Sequence, residues 1–498
     1  MKINKKTLIF WGGVITLFVW MCTLCFYHLG ESGVANWDEA RHIINAYEMF
    51  RTKEWWITTF RYGVDYFNYK PPFSTWMIIL NAGLFGWSYF TVRLYAACCM
   101  SMIFLVAVIW TMKISGRKAA FITAALLTTG VDVIFFHMAR SSDADALYIL
   151  MMVSAFLCLY YTEKQPWLLT GVTFFLAMAF MAKCLHMAIG VLVLAAYMPR
   201  IYKKLRTEHY IIAAFTGILP IIIWGVFRYS FDGLAFFKGM LGMEVVERVE
   251  TSKNYFGYIT YIFSKPWIDL ILLALLVSVI ALELMHRRSA GKERNKSFKK
   301  KWWSMINHPL YLFGLWITIP LVIYSISGSF MEWYSYISFI PFCILAGSVI
   351  SKAVTDATPK WLIVLVLSLV VASVGIAAYI EDGKLKTLVF VNNVDLRHDL
   401  ETLIERNPET KGREIYIENS RNEYKEQNVW EQNNIVDAYL SGDFVPVDGG
   451  VPLFLEDEDD SVLLILSKSL METYYDSIAG YVILVDGDDY LIFSKQRY

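Results

Sequence analysis

The chain has 498 residues, 56% of them hydrophobic and 18% charged, with a mean hydropathy of +0.44. A soluble multidomain protein of that size is not so apolar, which leaves lipid as the medium for most of the chain. Its 45 basic and 45 acidic residues cancel, so total charge points to no nucleic-acid partner and only the placement of charge is informative.

The N-terminal Lys2, Lys5 and Lys6 precede an apolar run from Leu8 to Leu29 that has no small-residue cleavage site. It reads as a retained first helix, not a signal peptide. Further spans are expected at Phe90–Met112, Ala119–Phe136, Ala146–Tyr161, Trp167–Ala182, Leu185–Met198, Tyr210–Phe227, Trp267–Met285, Leu310–Ser327, Tyr336–Ile350 and Trp361–Tyr379. Each approaches the roughly 20 apolar residues a crossing needs, giving about eleven transmembrane helices, with the pair flanking Lys183 short. With a cytoplasmic N-terminus, the inner segments receive Lys113, Arg117, Lys118, Arg200, Lys203, Lys204, Arg206, the Arg287–Lys301 stretch, Lys352 and Lys360. The opposite loops receive Asp38, Glu39, Glu48, Glu54, Asp65, Asp132, Asp143, Asp145, Glu244, Glu247, Glu250 and Glu332, as the positive-inside rule requires. On this topology the Arg287–Lys301 stretch is an anchor that needs no partner. The seven cysteines all lie in apolar or near-apolar segments, so Cys22-x-x-Cys25 reads as filler within a span and no disulfide framework is implied.

Between the first two spans, residues 30–89 make an outer loop long enough to suggest function. It contains Trp37-Asp38-Glu39, then apolar residues at helical spacing from Glu39 to Phe50, expected as an interfacial helix lying on the membrane. A carboxylate so placed could deprotonate an acceptor hydroxyl, and Lys70, stiffened by Pro71 and Pro72, could hold a phosphate. The loop's tryptophans and tyrosines read first as an aromatic belt and second as a sugar platform.

After the third span come Arg140, Ser141, Ser142, Asp143 and Asp145, with Asp132 and His137 just before. Charges so near a span mark a site, or else an Arg140–Asp143 or Arg140–Asp145 ion pair that orders the loop; the pattern does not choose. Lys183 stands between two apolar stretches with His186 one turn on. A snorkelling lysine is the simpler reading, yet a lone cation on the outer side is disfavoured without an anionic partner.

Beyond Tyr379 the chain turns polar and acidic, and residues 381–498 are expected as a small extracytoplasmic α/β domain attached to a membrane domain of residues 1–380. Helices are expected at Leu396–Glu405, Trp430–Leu440 and Ser469–Tyr475, and strands at Glu414–Ile417, Val462–Leu466, Tyr481–Val485 and Tyr490–Phe493. The tail has no glycine-rich phosphate loop or metal-ligand cluster, which leaves it a packing or acceptor-docking role.

Asp38-Glu39 soon after the first span, Tyr69-Lys70-Pro71-Pro72, Arg140-x-x-Asp143-x-Asp145 after the third span, and Glu332-Trp333-Tyr334 before a span containing Ile340-Pro341 together resemble the GT-C glycosyltransferase superfamily. The resemblance runs from Asn36 to Gly347 and is to the bacterial branch related to protein O-mannosyltransferases and the lipid A aminoarabinose transferase. It implies a polytopic α-helical membrane protein of GT-C type in the cytoplasmic (inner) membrane, with its active site on the periplasmic side. The implied activity is inverting transfer of a monosaccharide, hexose or pentose, from a polyprenyl-phosphate donor to a lipid, glycan or protein acceptor. It implies Asp38 as base with Glu39 beside it, and Lys70, Lys183 and Arg140 on the carrier phosphate. Asp143 and Asp145 match the second acidic motif, with Tyr69, Glu332 and Tyr334 as further substrate contacts.

The chain departs from that pattern in two places: Ser329, Phe330 and Met331 stand where a lysine often precedes the late aromatic pair, and Cys184 replaces the usual glycine. A polyprenyl phosphate is already a good leaving group, so one carboxylate and one or two cations suffice and no cofactor is required. A divalent metal on Asp143 and Asp145 is the rival device. The alternative function is a transporter or flippase of a lipid-linked sugar, against which stand the absence of a sequence repeat and the collection of charges at one face.

Overall fold

A computed structural model of the chain describes residues 5–243, 254–289, 304–327, 330–388, 395–418 and 429–497. Glu244, Glu247, Glu250, Ser329 and most of the Arg287–Lys301 stretch lie outside the described residues. The chain separates into two compact units, one of Met1–Tyr27, Tyr66–Ser74 and Tyr95–Leu385, the other of His28–Asp65, Thr75–Leu94 and Lys386–Tyr498. The boundary expected at residue 381 therefore assigns the first loop differently, because most of that loop shares its core with the C-terminal segment.

The first unit is helical. Among the described residues, eight helices are long and apolar enough to cross a membrane, two of them being Tyr89–Leu127 and Leu168–Lys204. Each of these two contains two segments, since Gly116 at φ 87° breaks one and Cys184 at φ 52° breaks the other. Counted as segments, and with the 17-residue helix Tyr311–Ser327, they return the eleven expected from the sequence. Apolar residues cover these helices on most faces, as spans require. Where helix meets helix, small residues permit close approach: a Cβ added to Gly347 would lie 2.2 Å from the Thr123 hydroxyl and 3.0 Å from the Ala119 carbonyl.

The second unit opens with helix Asp38–Thr52 and a short antiparallel hairpin, Thr59–Phe60 with Gly63–Val64. Helix Phe73–Phe85, mostly in this unit, is apolar but too short to cross and is not anticipated by the sequence reading. The C-terminal segment forms a five-stranded sheet in the order Val445–Val447, Glu414–Glu418, Leu463–Ser467, Tyr490–Arg497, Tyr481–Asp486. Its first three strands are parallel, and Tyr490–Arg497 is antiparallel to both its neighbours. All four expected strands are present, along with helices Asp395–Arg406, Gln432–Gly442 and Met471–Ile478. The unanticipated strand Val445–Val447 contains Pro446, which the sheet accepts only because that strand is at the edge.

In the first-loop helix ten of the fifteen residues are buried, including Glu39, His42, Asn45 and Glu48. A helix enclosed nearly all round needs partners for its polar groups, and Asn45 donates to Asp65, at 2.9 Å, within its own unit.

Candidate active site

Two carboxylates of the first unit are held by different partners. Asp143 accepts from the Ser141 hydroxyl at 2.6 Å and lies 3.0 Å from His137 Nδ1. The His137 ring is stacked on Trp333, centroids 4.0 Å apart and planes 16° apart. The loop itself is pinned by the Tyr95 hydroxyl, 2.7 Å from the Ser142 carbonyl and 2.6 Å from that of Asp143. A positive φ of 57° at His137 turns the chain so that ring and carboxylate can meet, a conformation uncommon outside glycine.

Asp145 opens the helix Asp145–Thr162 and forms an ion pair with Lys183, the last residue of helix Leu168–Lys183. The two side chains are only 7% and 6% exposed. The Lys183 ammonium also lies 5.1 Å from the centroid of Tyr334. Around this pair, His186 Nδ1 is 2.8 Å from the Tyr324 hydroxyl, and its ring is edge-on to Tyr334 at 4.7 Å. Lys183 is thus neither a snorkelling end residue nor a lone cation: the anionic partner that the sequence argument demanded is Asp145.

Arg140 donates to the Leu24 carbonyl at 2.8 Å and lies over Phe135 at 5.6 Å. Tyr69 packs against Phe236 at 5.2 Å and over Gly239, whose missing side chain makes room for the ring. Lys70 is half-buried just ahead of helix Phe73–Phe85, in the short Tyr66–Ser74 segment that belongs to the first unit.

Glu332 is set in a second polar cluster. There the Tyr261 hydroxyl donates to Asp132 at 2.8 Å and Lys265 pairs with Asp132 at 2.9 Å. Burial, with the charges of Asp132 and Glu332 added, raises the Tyr261 pKa. Asp132, Tyr261 and Tyr336, with Thr129, Ser335 and Ser338, line a cavity of about 210 Å³ whose remaining walls, among them Trp267, Leu272, Leu321 and Phe339, are apolar.

In the second unit Asp38 is half-buried in the first turn of helix Asp38–Thr52, where an acidic side chain complements the helix dipole. Trp37 before it has φ 71°, a second positive φ beside a candidate residue. Glu39 has another task than the expected one. Its carboxylate is gripped by Arg93 at 2.6 and 3.0 Å and accepts the Ala35 N–H at 2.8 Å. The same guanidinium ties down the carbonyls of Leu29, Ser32 and Gly33. Both Glu39 oxygens are so engaged and the residue is 3% exposed, whereas Asp38 beside it is half-buried. Sequence reasoning named His137 and Trp333 within their motifs, without foreseeing that the His137 ring meets both Asp143 and Trp333, and it missed Arg93 and Tyr324. A lone arginine or aromatic inside an apolar run carries no signal of its partner.

Asp143 and His137 stand within reach of each other as metal donors, while one oxygen of Asp145 is engaged by Lys183.

A family model described as dolichyl-phosphate-mannose-protein mannosyltransferase matches residues 69–225. No curated protein sequence matches the chain. Among solved structures, ArnT from Cupriavidus metallidurans bound to undecaprenyl phosphate is 13% identical with a TM-score of 0.66, covering 97% of this chain and 98% of that one. The same protein in the apo state is 14% identical with a TM-score of 0.67, over the same shares of the two chains. The likeness covers 97% of this chain, tail included, and shows a shared fold, which the eight apolar helices make that of a multi-pass membrane protein.

Proposed function

We propose that this protein is an inverting glycosyltransferase that moves a monosaccharide from a polyprenyl-phosphate donor to a lipid, glycan or protein acceptor on the outer face of the cytoplasmic membrane. The family model that matches is for transfer of mannose from dolichyl phosphate, and the similar ArnT structure holds undecaprenyl phosphate; both carriers are polyprenyl phosphates. The observation that carries the reading is the buried Lys183–Asp145 pair beside Tyr334. Two buried charges are weak evidence for stability, since their desolvation offsets most of their attraction. Kept next to a span, they point to function. An ammonium has three donors, of which Asp145 uses one, so Lys183 has donors left for phosphate oxygens.

In this reaction the acceptor hydroxyl attacks the anomeric carbon and gives its proton to a carboxylate, the role assigned to Asp38. The carbon–oxygen bond to phosphate breaks with inversion, and polyprenyl phosphate departs with that oxygen and its added charge, offset by Lys183, Lys70 and Arg140. No metal is needed for these steps.

The test uses, as donor, the polyprenyl-phosphate lipid extracted from cells lacking the gene. Wild-type protein should release free polyprenyl phosphate, and Asp38→Asn should lose about 10²–10⁴-fold in rate while still inserting. Full activity in that variant would remove the base from the mechanism. Carrier trapped on the inner leaflet of the deletion strain, in place of sugar-loaded carrier outside, would favour the flippase.

A further inference from the structure

Helix Asp38–Thr52 carries Asp38 in its first turn and Glu48 towards its other end. Glu48 has 0% exposure, and hydrogen-bond donors surround it. One oxygen accepts from the Arg61 N–H at 2.7 Å and the Tyr439 hydroxyl at 2.9 Å, the other from the Tyr62 N–H at 2.9 Å. Burial raises its pKa, against the pull of these donors.

Tyr439 belongs to helix Gln432–Gly442 of the C-terminal segment. Its ring stacks on Tyr47 at 4.4 Å, and the Tyr47 hydroxyl donates to Asp443 at the end of the same C-terminal helix. One turn earlier, Asp437 accepts from the Tyr89 hydroxyl at 2.8 Å. Arg397 covers the Tyr89 ring at 3.7 Å and donates at 2.8 Å to the carbonyl of Gly30, in the strap leading to Asp38.

Burial of apolar area alone would hold this helix with leucines and alanines. A carboxylate without water is costly unless each lone pair is met, and directional ties meet only in one register. Every one of these ties joins the first loop to the C-terminal segment or to its own hairpin. We propose that the C-terminal segment is a positioning domain for the first-loop helix, and that Glu48 and Tyr439 are positioning residues that fix where Asp38 is presented. The inference rests on the reading of Asp38 as the base, and it replaces the acceptor-docking role considered from sequence.

The experiment compares Glu48→Ala, Glu48→Gln, Tyr439→Phe and Asp38→Asn in the full chain, reading kcat and KM on the extracted donor fraction and amide exchange over residues 38–52. A misplacement of about 1 Å costs roughly 10²-fold, so Glu48→Ala and Tyr439→Phe should lower kcat about tenfold or more with KM held, and should speed exchange across the helix. Glu48→Gln keeps an accepting oxygen and should recover part of the loss. If Glu48→Ala and Tyr439→Phe keep wild-type kcat and exchange while Asp38→Asn is inactive, the positioning role is wrong and the function reading stands. If Asp38→Asn is fully active, the base assignment fails first and takes this inference with it.

Discussion

Cys184 sits at φ 52° and ψ −133°, a region that only glycine enters without strain, directly after the lysine that pairs with Asp145. Such residues cost about 1–3 kcal/mol each and are held by their surroundings, here by burial and the adjoining ion pair. The resemblance puts glycine at this position, and the backbone supplies the reason. Cys184→Gly is therefore expected to raise the unfolding temperature of the purified protein and leave transfer intact; a lower temperature would mean that the thiol's packing outweighs the strain. Asp143, Asp145 and Lys183 were legible as candidates, since charges in an apolar sequence stand out, and Tyr334 entered through the resemblance. Which charge pairs with which was not, because Lys183 is 38 residues from Asp145 and the sequence has no term for that distance.

At the scale of elements, hydropathy found the spans and alternation found four of the five strands of the C-terminal sheet, though not the two-residue strands of the first-loop hairpin, because each signal is local. What it missed is set by neighbours: Pro446 is tolerable only on an edge, and a helix as short as Phe73–Phe85 falls below the length of a crossing. Close helix contacts are likewise invisible in a single segment. Tyr336–Ala353 approaches Tyr89–Leu127 at Gly347, where the Thr123 hydroxyl also donates to the Cys343 carbonyl at 3.2 Å. A methyl group there would lie 2.9 Å from the Thr123 nitrogen as well as close to the hydroxyl. Gly347→Ala should cost about 1–3 kcal/mol in detergent-unfolding measurements. Adding Thr123→Ala should restore only part, because backbone atoms would still obstruct; full recovery would place the conflict in the side chain alone.

At the scale of the whole molecule, stability should depend on pH through the second unit. Asp437 is buried, and desolvation pushes its pKa up to about 7 from an ordinary 3.8, with the Tyr89 hydroxyl and Arg397 resisting. Between those two values the folded state keeps a proton that the unfolded chain releases, so stability falls as pH rises through that window. Glu48 and Glu418, also raised by burial, act in the same direction. Melting of the full-length protein should therefore weaken from about pH 4 to pH 7, and Asp437→Asn should flatten the slope. An unchanged slope in that variant would show that Asp437 does not titrate in the window.

The sequence by itself determined that the chain is a membrane protein of many apolar helices with a small α/β tail, and that the segments between those helices carry the candidate carboxylates and lysines. Those properties follow from residue type and short-range period, which solvent and lipid enforce on each segment separately. Only the tertiary structure decided that Glu39 belongs to Arg93, that Asp145 belongs to Lys183, and that the first loop folds with the C-terminal segment. A buried charge must find its counterpart wherever the packed chain brings one, and that choice is made in three dimensions.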